Sequence, residues 1–365
     1  MTEESSVWAQ GAQDEDPTTL LRQLPQPPHA HRPPLSLVNR QMSLAERQAF
    51  LVAYGQQSNA YFNLQEGVSY FDMPGVGFIS YFSARFPIRK INIVFSRPVC
   101  APEHMGRMLD AFGRNHRGST IFAGMDSEMA LLLQERGYEV TPLGTDFHLD
   151  IPSFSLTGNK KKYLRKAKRI GAEQITVREQ RWSEVNQEEA RAISERWLST
   201  KKGRGKELRV LTRPPIFAPA WGIRRFFGYD SKGKMLGYAF FDPYFKEGQI
   251  AGYTANILRR RPEAPSVLLD YITMYAMDVF EEDGVPEMSL GMSPLHGVRE
   301  HKSKSTLLRR ALEMAYQYGG RFYSFKSLAF HKSRWRAEPE MLFACTKDIS
   351  TLRAILFTLK ICNVV

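Results

Sequence analysis

Three cysteines, Cys100, Cys345 and Cys362, are all that the 365 residues contain, and no two of them form a Cys-x-x-Cys pair. That spacing excludes a disulfide framework and a thiolate zinc cluster, and leaves three small hydrophobes expected to be buried. No His-Glu-x-x-His and no acidic ligand cluster occurs, so no metal is expected. The chain also lacks any run approaching the ~18 to 20 apolar residues that cross a bilayer. Its start (Glu3, Glu4, Asp14, Glu15, Asp16) has neither the basic nor the apolar region of a signal peptide. A cytoplasmic protein is the expectation.

Positive charge is in surplus: 50 Lys and Arg against 38 Asp and Glu give +12, which favours polyanionic partners, either nucleic acid or an anionic membrane face. The length fits two domains, and the apolar content is enough for two cores. Residues 1–35 are acidic and then proline-rich (Pro25, Pro27, Pro28, Pro33, Pro34), a composition expected to stay disordered. The globular pattern begins at Ser43, with domains expected over 36–155 and 156–365. In the first, a helix, strands at 67–82 and 90–95, a helix from Glu103, a strand at 119–123, a helix capped by Asp126 or Ser127, and an extended 138–149 follow one another.

The second domain opens with a basic helix and carries a helix over 186–199. Strands at 225–229, 235–241 and 249–258 then form an antiparallel meander. Behind it come an arginine-rich loop, a long helix over 266–283 with Leu268, Leu269, Ile272, Ala276 and Phe280 on one face, a strand at 287–291, a helix over 305–318, and a terminal strand and helix at 341–344 and 351–360. That order of elements is the one an acyltransferase of the GNAT class shows. The expected fold is therefore α/β with mixed sheets, as two tandem GNAT-like domains. The apolar positions of the terminal helix leave open whether it packs on its own domain or touches a membrane surface.

Three segments carry a resemblance: Phe154-Ser155-Leu156-Thr157-Gly158 running into the basic helix, Leu290-Gly291-Met292-Ser293-Pro294-Leu295, and Arg321-Phe322-Tyr323-Ser324-Phe325-Lys326-Ser327-Leu328. Together they resemble the catalytic domain of the phosphatidylglycerol lysyltransferases and alanyltransferases, also called DUF2156, over roughly residues 50–350, without that family's transmembrane half. The resemblance implies two GNAT folds and transfer of an aminoacyl group from aminoacyl-tRNA to a lipid hydroxyl. It implies aminoacyl-tRNA as co-substrate with no other cofactor, a phospholipid or other lipid acceptor, and a peripheral position at the inner membrane face; DNA is not an expected partner. Where the family carries Asp-x-x-Arg, this chain reads Asn256-Ile257-Leu258-Arg259, so an amide stands where a carboxylate would hold an ammonium group.

Ester exchange needs a base for the attacking hydroxyl and preorganised donors for the oxyanion. Arg259 and Lys326, which aligns with a family lysine, are candidates for oxyanion or phosphate stabilisation, with Lys332 and Arg334 behind them. His331 is a candidate base by its unperturbed pKa, or else a surface histidine. Asp270 either orients Arg259 or belongs to a buried network. Lys160, Lys161, Lys162, Arg165, Lys166, Lys168 and Arg169 follow one another with no acid between them, a cationic helix suited to a phosphate backbone. Lys201, Lys202, Arg204 and Lys206 form a second basic patch. Arg260 and Arg261 either grip a phosphate or form a solvated turn.

Two further readings stay open. The loop after Arg259 lies where GNAT enzymes cradle the pyrophosphate of coenzyme A, although Pro262 removes one backbone donor there. An acyl-coenzyme A-dependent transferase is thus one alternative, and a non-catalytic binder of tRNA or lipid is another. Other motifs fall away: the proline of Gly291-Met292-Ser293-Pro294-Leu295 obstructs a nucleophile elbow, and Lys202-Gly203-Arg204-Gly205-Lys206 lacks Walker spacing.

Overall fold

A computed structural model describes residues 40–86, 89–116, 118–200, 207–210, 212–298 and 325–363, with the backbone alone for residues 325, 326, 351 and 352. The proline-rich tail, the basic loop Lys201 to Lys206, the helix expected over 305–318 and the Arg321 to Ser324 part of the third family segment lie outside the described residues, as does the side chain of Lys326.

Local signals place several helices. Ser43 and Glu46 form a reciprocal capping box at the start of α1 (Leu44–Tyr54). Strands β1 (Ser69–Met73), β2 (Gly77–Arg85), β3 (Lys90–Val94) and β4 (Val99–Cys100) precede α2 (Met105–Asn115) and β5 (Ser119–Met125). Asp126 caps α3 (Ser127–Gln134) by accepting from Met129 N at 2.8 Å, and Gly137 ends that turn at φ +81° before β6 (Glu139–Asp150). There follow α4 (Lys162–Gln174), β7 (Thr176–Glu179) and α5 (Gln187–Ser199), the last capped by Asn186.

The meander is β8 (Arg224–Tyr229), β9 (Met235–Lys246) and β10 (Gln249–Arg260), antiparallel throughout as expected. Then come α6 (Leu268–Glu282), β11 (Glu287–Ser289), β12 (Ser293–Pro294), α7 (Phe325–Ser333), β13 (Glu338–Lys347) and α8 (Thr351–Ile361). The strands form one mixed sheet in the order β1-β2-β3-β5-β13-β6-β11-β10-β9-β8-β7, with β4 on β2 and β12 on β6. The same unit occurs twice in it: β3 and β5 run parallel with α2 between them in sequence, and so do β10 and β11 with α6 between them. The last strand, β13, returns to lie antiparallel between β5 and β6, and β6 in turn carries β11.

Apolar side chains fill both faces. Leu268, Ile272, Ala276 and Phe280 of α6 pack with Phe226, Phe241 and Tyr253, as their helical spacing requires. All three cysteines are buried, as expected. Ala354, Phe357 and Ile361 of α8 join Phe62, Phe82 and Ile93, so the terminal helix packs on the body of the molecule. Among the described residues no helix is long and apolar enough to cross a membrane. Some elements differ from expectation: α7 is a helix that the sequence pattern does not announce, the short strands β4 and β12 are additional, and β13 starts three residues earlier, at Glu338.

Candidate functional site

Parallel strands β10 and β11 pair from Gly252 and Glu287 as far as Thr254 and Ser289, after which β10 runs on to Arg260 bonded to β9 alone. The sheet therefore opens at the carboxyl ends of two parallel strands, the place where α/β folds bind ligands. Asn256 and Arg259 lie on the β10 side of this opening. Gly291 and Met292 follow β11 on the other, Gly291 at φ +78°. A Cβ at Gly291 would sit 3.4 Å from Lys332 Nζ and 3.8 Å from Ala255 O, so the amine stands at the apex.

Lys332 points inward from α7, only 7% exposed, and donates to Gly291 O at 2.6 Å and Met292 O at 3.0 Å. Burial drives its pKa down to about 8, with Asp146 opposing part of the shift. Asp146 belongs to a network that sequence reasoning missed. Its Oδ1 accepts from Ser289 Oγ and Phe147 N, both at 2.9 Å, and its Oδ2 accepts from Ser58 and lies 3.1 Å from His148 Nε2. His148 Nδ1 meets Glu287 Oε1 at 2.5 Å, and Tyr244 donates to the same oxygen. Although burial alone would lower it, the His148 pKa is raised to about 12 by Asp146, Glu287 and Glu340. Burial would likewise raise Asp146, yet the imidazolium holds it well below the usual carboxylate range. The only signal in sequence was Asp146 and His148 alternating with Phe147 and Leu149 along β6, a polar pair on one face of an apolar strand.

On the other side of α7, three helices meet at Asp270, which is 2% exposed in the first turn of α6. Tyr163 of α4 donates to Asp270 Oδ2 at 3.3 Å, Arg334 Nη2 lies 3.5 Å from the same oxygen, and His331 Nε2 is 3.7 Å from Oδ1. Arg334 also bonds His331 Nδ1 and lies 4.0 Å over the Tyr163 ring. Asp270 thus belongs to a buried network; the partner of Arg259 is a different acid. Burial lowers the His331 pKa, with Asp270 pulling it up and Arg334 and Lys332 pushing it down.

Arg259, 5% exposed, stacks on Trp197 with Cζ 3.6 Å from the ring and pairs with Glu207 at 2.7 Å. Its Nη1 is buried and has no hydrogen-bond partner among the described residues, a donor available to an oxyanion or phosphate. Asn256 is used structurally: Nδ2 donates to Arg213 O at 3.1 Å, and Oδ1 accepts from Thr212 at 3.3 Å. Arg213 beside it forms a buried bidentate pair with Asp242 at 3.0 and 2.6 Å.

The other arginines of the loop are engaged within the fold. Arg260 Nη1 donates to the carbonyls of Arg261, Pro262 and Ala264, and Arg261 to Met235 O and Glu189. Just ahead of α4, Lys161 donates to Ser155 O, and on the helix Arg165 donates to Leu156 O and Gly158 O, closing the Phe154 to Gly158 turn on it. Lys168 pairs with Asp278, and Arg169 with Glu173 one turn on, so the helix is less uniformly unpaired than its sequence suggests. Lys160, Lys162 and Lys166 are exposed and pair with no carboxylate among the described residues. No group of three His, Cys, Asp or Glu among those residues is placed to hold a metal.

The family model described as "Phosphatidylglycerol lysyltransferase, C-terminal" matches residues 48–346. A phosphatidylglycerol lysyltransferase of Bacillus subtilis is 27% identical over 225 residues, 60% of this chain, which spans 25% of that relative's length. Among solved structures, L-PGS from Bacillus licheniformis superposes with TM-score 0.68 at 17% identity, covering 88% of this chain and 97% of its own. A C-terminal DUF2156 domain from Agrobacterium fabrum gives 0.67 at 20%, covering 87% and 95%. These likenesses establish the mixed α/β fold of that group. With most of its length matched, the chain belongs to the family of phosphatidylglycerol lysyltransferase C-terminal domains.

Proposed function

We propose that the chain is an aminoacyltransferase that moves an aminoacyl group from aminoacyl-tRNA to a hydroxyl of a lipid acceptor at the membrane surface. The observation that carries this reading is Lys332, a buried amine at the apex of the strand opening whose pKa of about 8 lets it hold or release a proton near neutrality. In the reaction the acceptor oxygen bonds the acyl carbon and the bond from that carbon to the ribose oxygen breaks. One proton passes from the acceptor hydroxyl to the departing ribose oxygen, which leaves as a hydroxyl. Lys332 in its neutral form takes that proton and returns it, while Arg259 Nη1 supplies a donor for the oxyanion. No nucleotide is hydrolysed, because one ester replaces another.

Coenzyme A suits the site less well. The loop where its pyrophosphate would rest carries Pro262 in place of a donor, and Arg260 holds the loop's own carbonyls. Lys160, Lys162 and Lys166 supply cations for a tRNA backbone, and a lipid acceptor calls for a peripheral position on the membrane. The test incubates the full chain with phosphatidylglycerol vesicles and either tRNA charged with a labelled amino acid or labelled acetyl-coenzyme A. Label passing from tRNA into the lipid extract is expected. Transfer from coenzyme A alone would overturn the reading, and tRNA binding without any transfer would make the chain a binder.

A further inference from the structure

Phe330 is 68% exposed, more than any other large apolar side chain among the described residues. Exposure of one ring is ordinary; what surrounds this one is not. Arg334, one helical turn on, lies 5.8 Å from the Phe330 centroid and 4.0 Å from that of Tyr163. Its guanidinium is fixed by Asp270 and His331, and the Tyr163 hydroxyl is tied to Asp270. Two aromatic faces and a flat cation are therefore held together at the surface where α7 meets α4. Lys162 precedes Tyr163 and Lys166 follows it by three residues, both exposed and without a carboxylate partner among the described residues.

Aromatic rings beside a guanidinium, bordered by unpaired lysines, form the surface on which unstacked bases rest while their phosphates are neutralised. A bilayer would ask for something else: several neighbouring apolar side chains entering together. The other strongly exposed apolar side chains, Leu131 and Leu356, belong to α3 and α8, and Phe330 is bordered by Arg334 and partly exposed His331. The placement on α7 matters as well. Phe330 faces out, and Lys332, about 200° further round the helix, reaches the strand opening.

Resting on the proposed use of aminoacyl-tRNA, we infer that Phe330, Tyr163 and Arg334 form a stacking platform for the unpaired bases at the 3′ end of tRNA, which sets the terminal ester beside the opening. The test measures affinity of the full chain for intact tRNA and for the same tRNA trimmed of its unpaired 3′ nucleotides, across a salt series. In the wild type, trimming is expected to weaken binding on the order of tenfold. Phe330→Ala should weaken binding of intact tRNA to the same degree, show no further loss on trimming, and keep the salt slope; Phe330→Trp should restore affinity. Losses that add, an unchanged Phe330→Ala affinity, or a wild type that binds neither tRNA would overturn the inference. So would a Phe330→Ala protein that loses only its cosedimentation with phosphatidylglycerol vesicles. Transfer of label from charged tRNA without any trimming effect would leave the proposed activity standing and remove the platform. A trimming effect without transfer would do the reverse.

Discussion

Lys332 Nζ and the carbonyl of Gly291, 2.6 Å apart, join α7 to the turn that follows β11. The turn keeps its shape because Gly291 adopts φ +78°, and the amine keeps its place because Met292 O accepts from it as well, at 3.0 Å. The same amine is then both a latch and the group best placed to move a proton. Lys332→Met should reduce transfer by about 10²- to 10⁴-fold, the usual worth of a general base. In the wild type the neutral amine is the active form, so the rate should rise with pH and level off above about 8. A steady-state profile flat between pH 6.5 and 9 would remove Lys332 from the proton path.

Arg259 is held from two directions, by the Trp197 ring and by Glu207, and its Nη1 has no partner among the described residues. Lysine preserves the charge but has neither the flat face nor the second fork of donors. Arg259→Lys should therefore lower transfer nearly as much as Arg259→Ala, by about 10²-fold or more, the cost of one oxyanion donor. Both variants should show wild-type far-ultraviolet circular dichroism. Activity retained by the lysine variant would mean that charge alone is used there.

Asn256 carries a different prediction once its partners are known. An aspartate would lose the donor to Arg213 O and set a carboxylate against that carbonyl. Asn256→Asp should cost about 1 to 3 kcal/mol in urea denaturation, the penalty of an unsatisfied buried group. If the position also reads an ammonium group, the preference among charged tRNAs should change in the same variant. An unchanged stability would show that the segment around Arg213 relaxes.

Much of the fold was legible because its signals are local. The meander and α6 announce themselves through alternation and through Leu268, Ile272, Ala276 and Phe280 at helical spacing. Helix α7 does not, because one of its buried positions is a lysine: Ala329 and Lys332 face inward, as does Trp335 just past the helix, and Lys332 breaks the apolar period. The start of β13 was hidden for a related reason. Glu338-Pro339-Glu340 reads as a loop, yet it pairs with β6 at His148, Phe147 and Asp146, bringing Glu340 within 3.3 Å of His148. Arg259 could be picked out from its motif, whereas its partners Trp197 and Glu207 lie 62 and 52 residues earlier in the chain and only the fold brings them together.

The Arg260 and Lys162 side chains separate a structural cation from a binding one. Arg260 braces three carbonyls of its own loop. Arg260→Ala should lower thermal stability and leave the salt dependence of tRNA binding unchanged. Replacing Lys160, Lys162 and Lys166 with alanine should leave stability within about 0.5 kcal/mol and flatten the salt slope, by roughly 0.7 to 0.9 for each phosphate no longer neutralised. The opposite assignment of the two effects would move phosphate binding to the loop.

The Asp146–His148 pair contributes a pH dependence to folding. His148 has its pKa raised in the fold, so its contribution is complete below its unfolded value of about 6.5 and falls away as pH climbs toward about 12. Asp146 is lowered, so its contribution is complete above its own unfolded value of about 3.9 and is lost in more acid solution. For this pair, stability should be greatest between about pH 4 and 6.5 and decline on both sides. His148→Gln removes the cation while Asp146 stays buried, a change worth about 3 to 5 kcal/mol where a buried pair is broken from one side. Guanidinium denaturation at pH 6 and pH 9 checks both points: the wild type should be less stable at pH 9, and the variant should lose most of that difference. A variant as stable as the wild type at pH 6 would mean that Ser58, Ser289 and the backbone of Phe147 satisfy Asp146 without an imidazolium beside it.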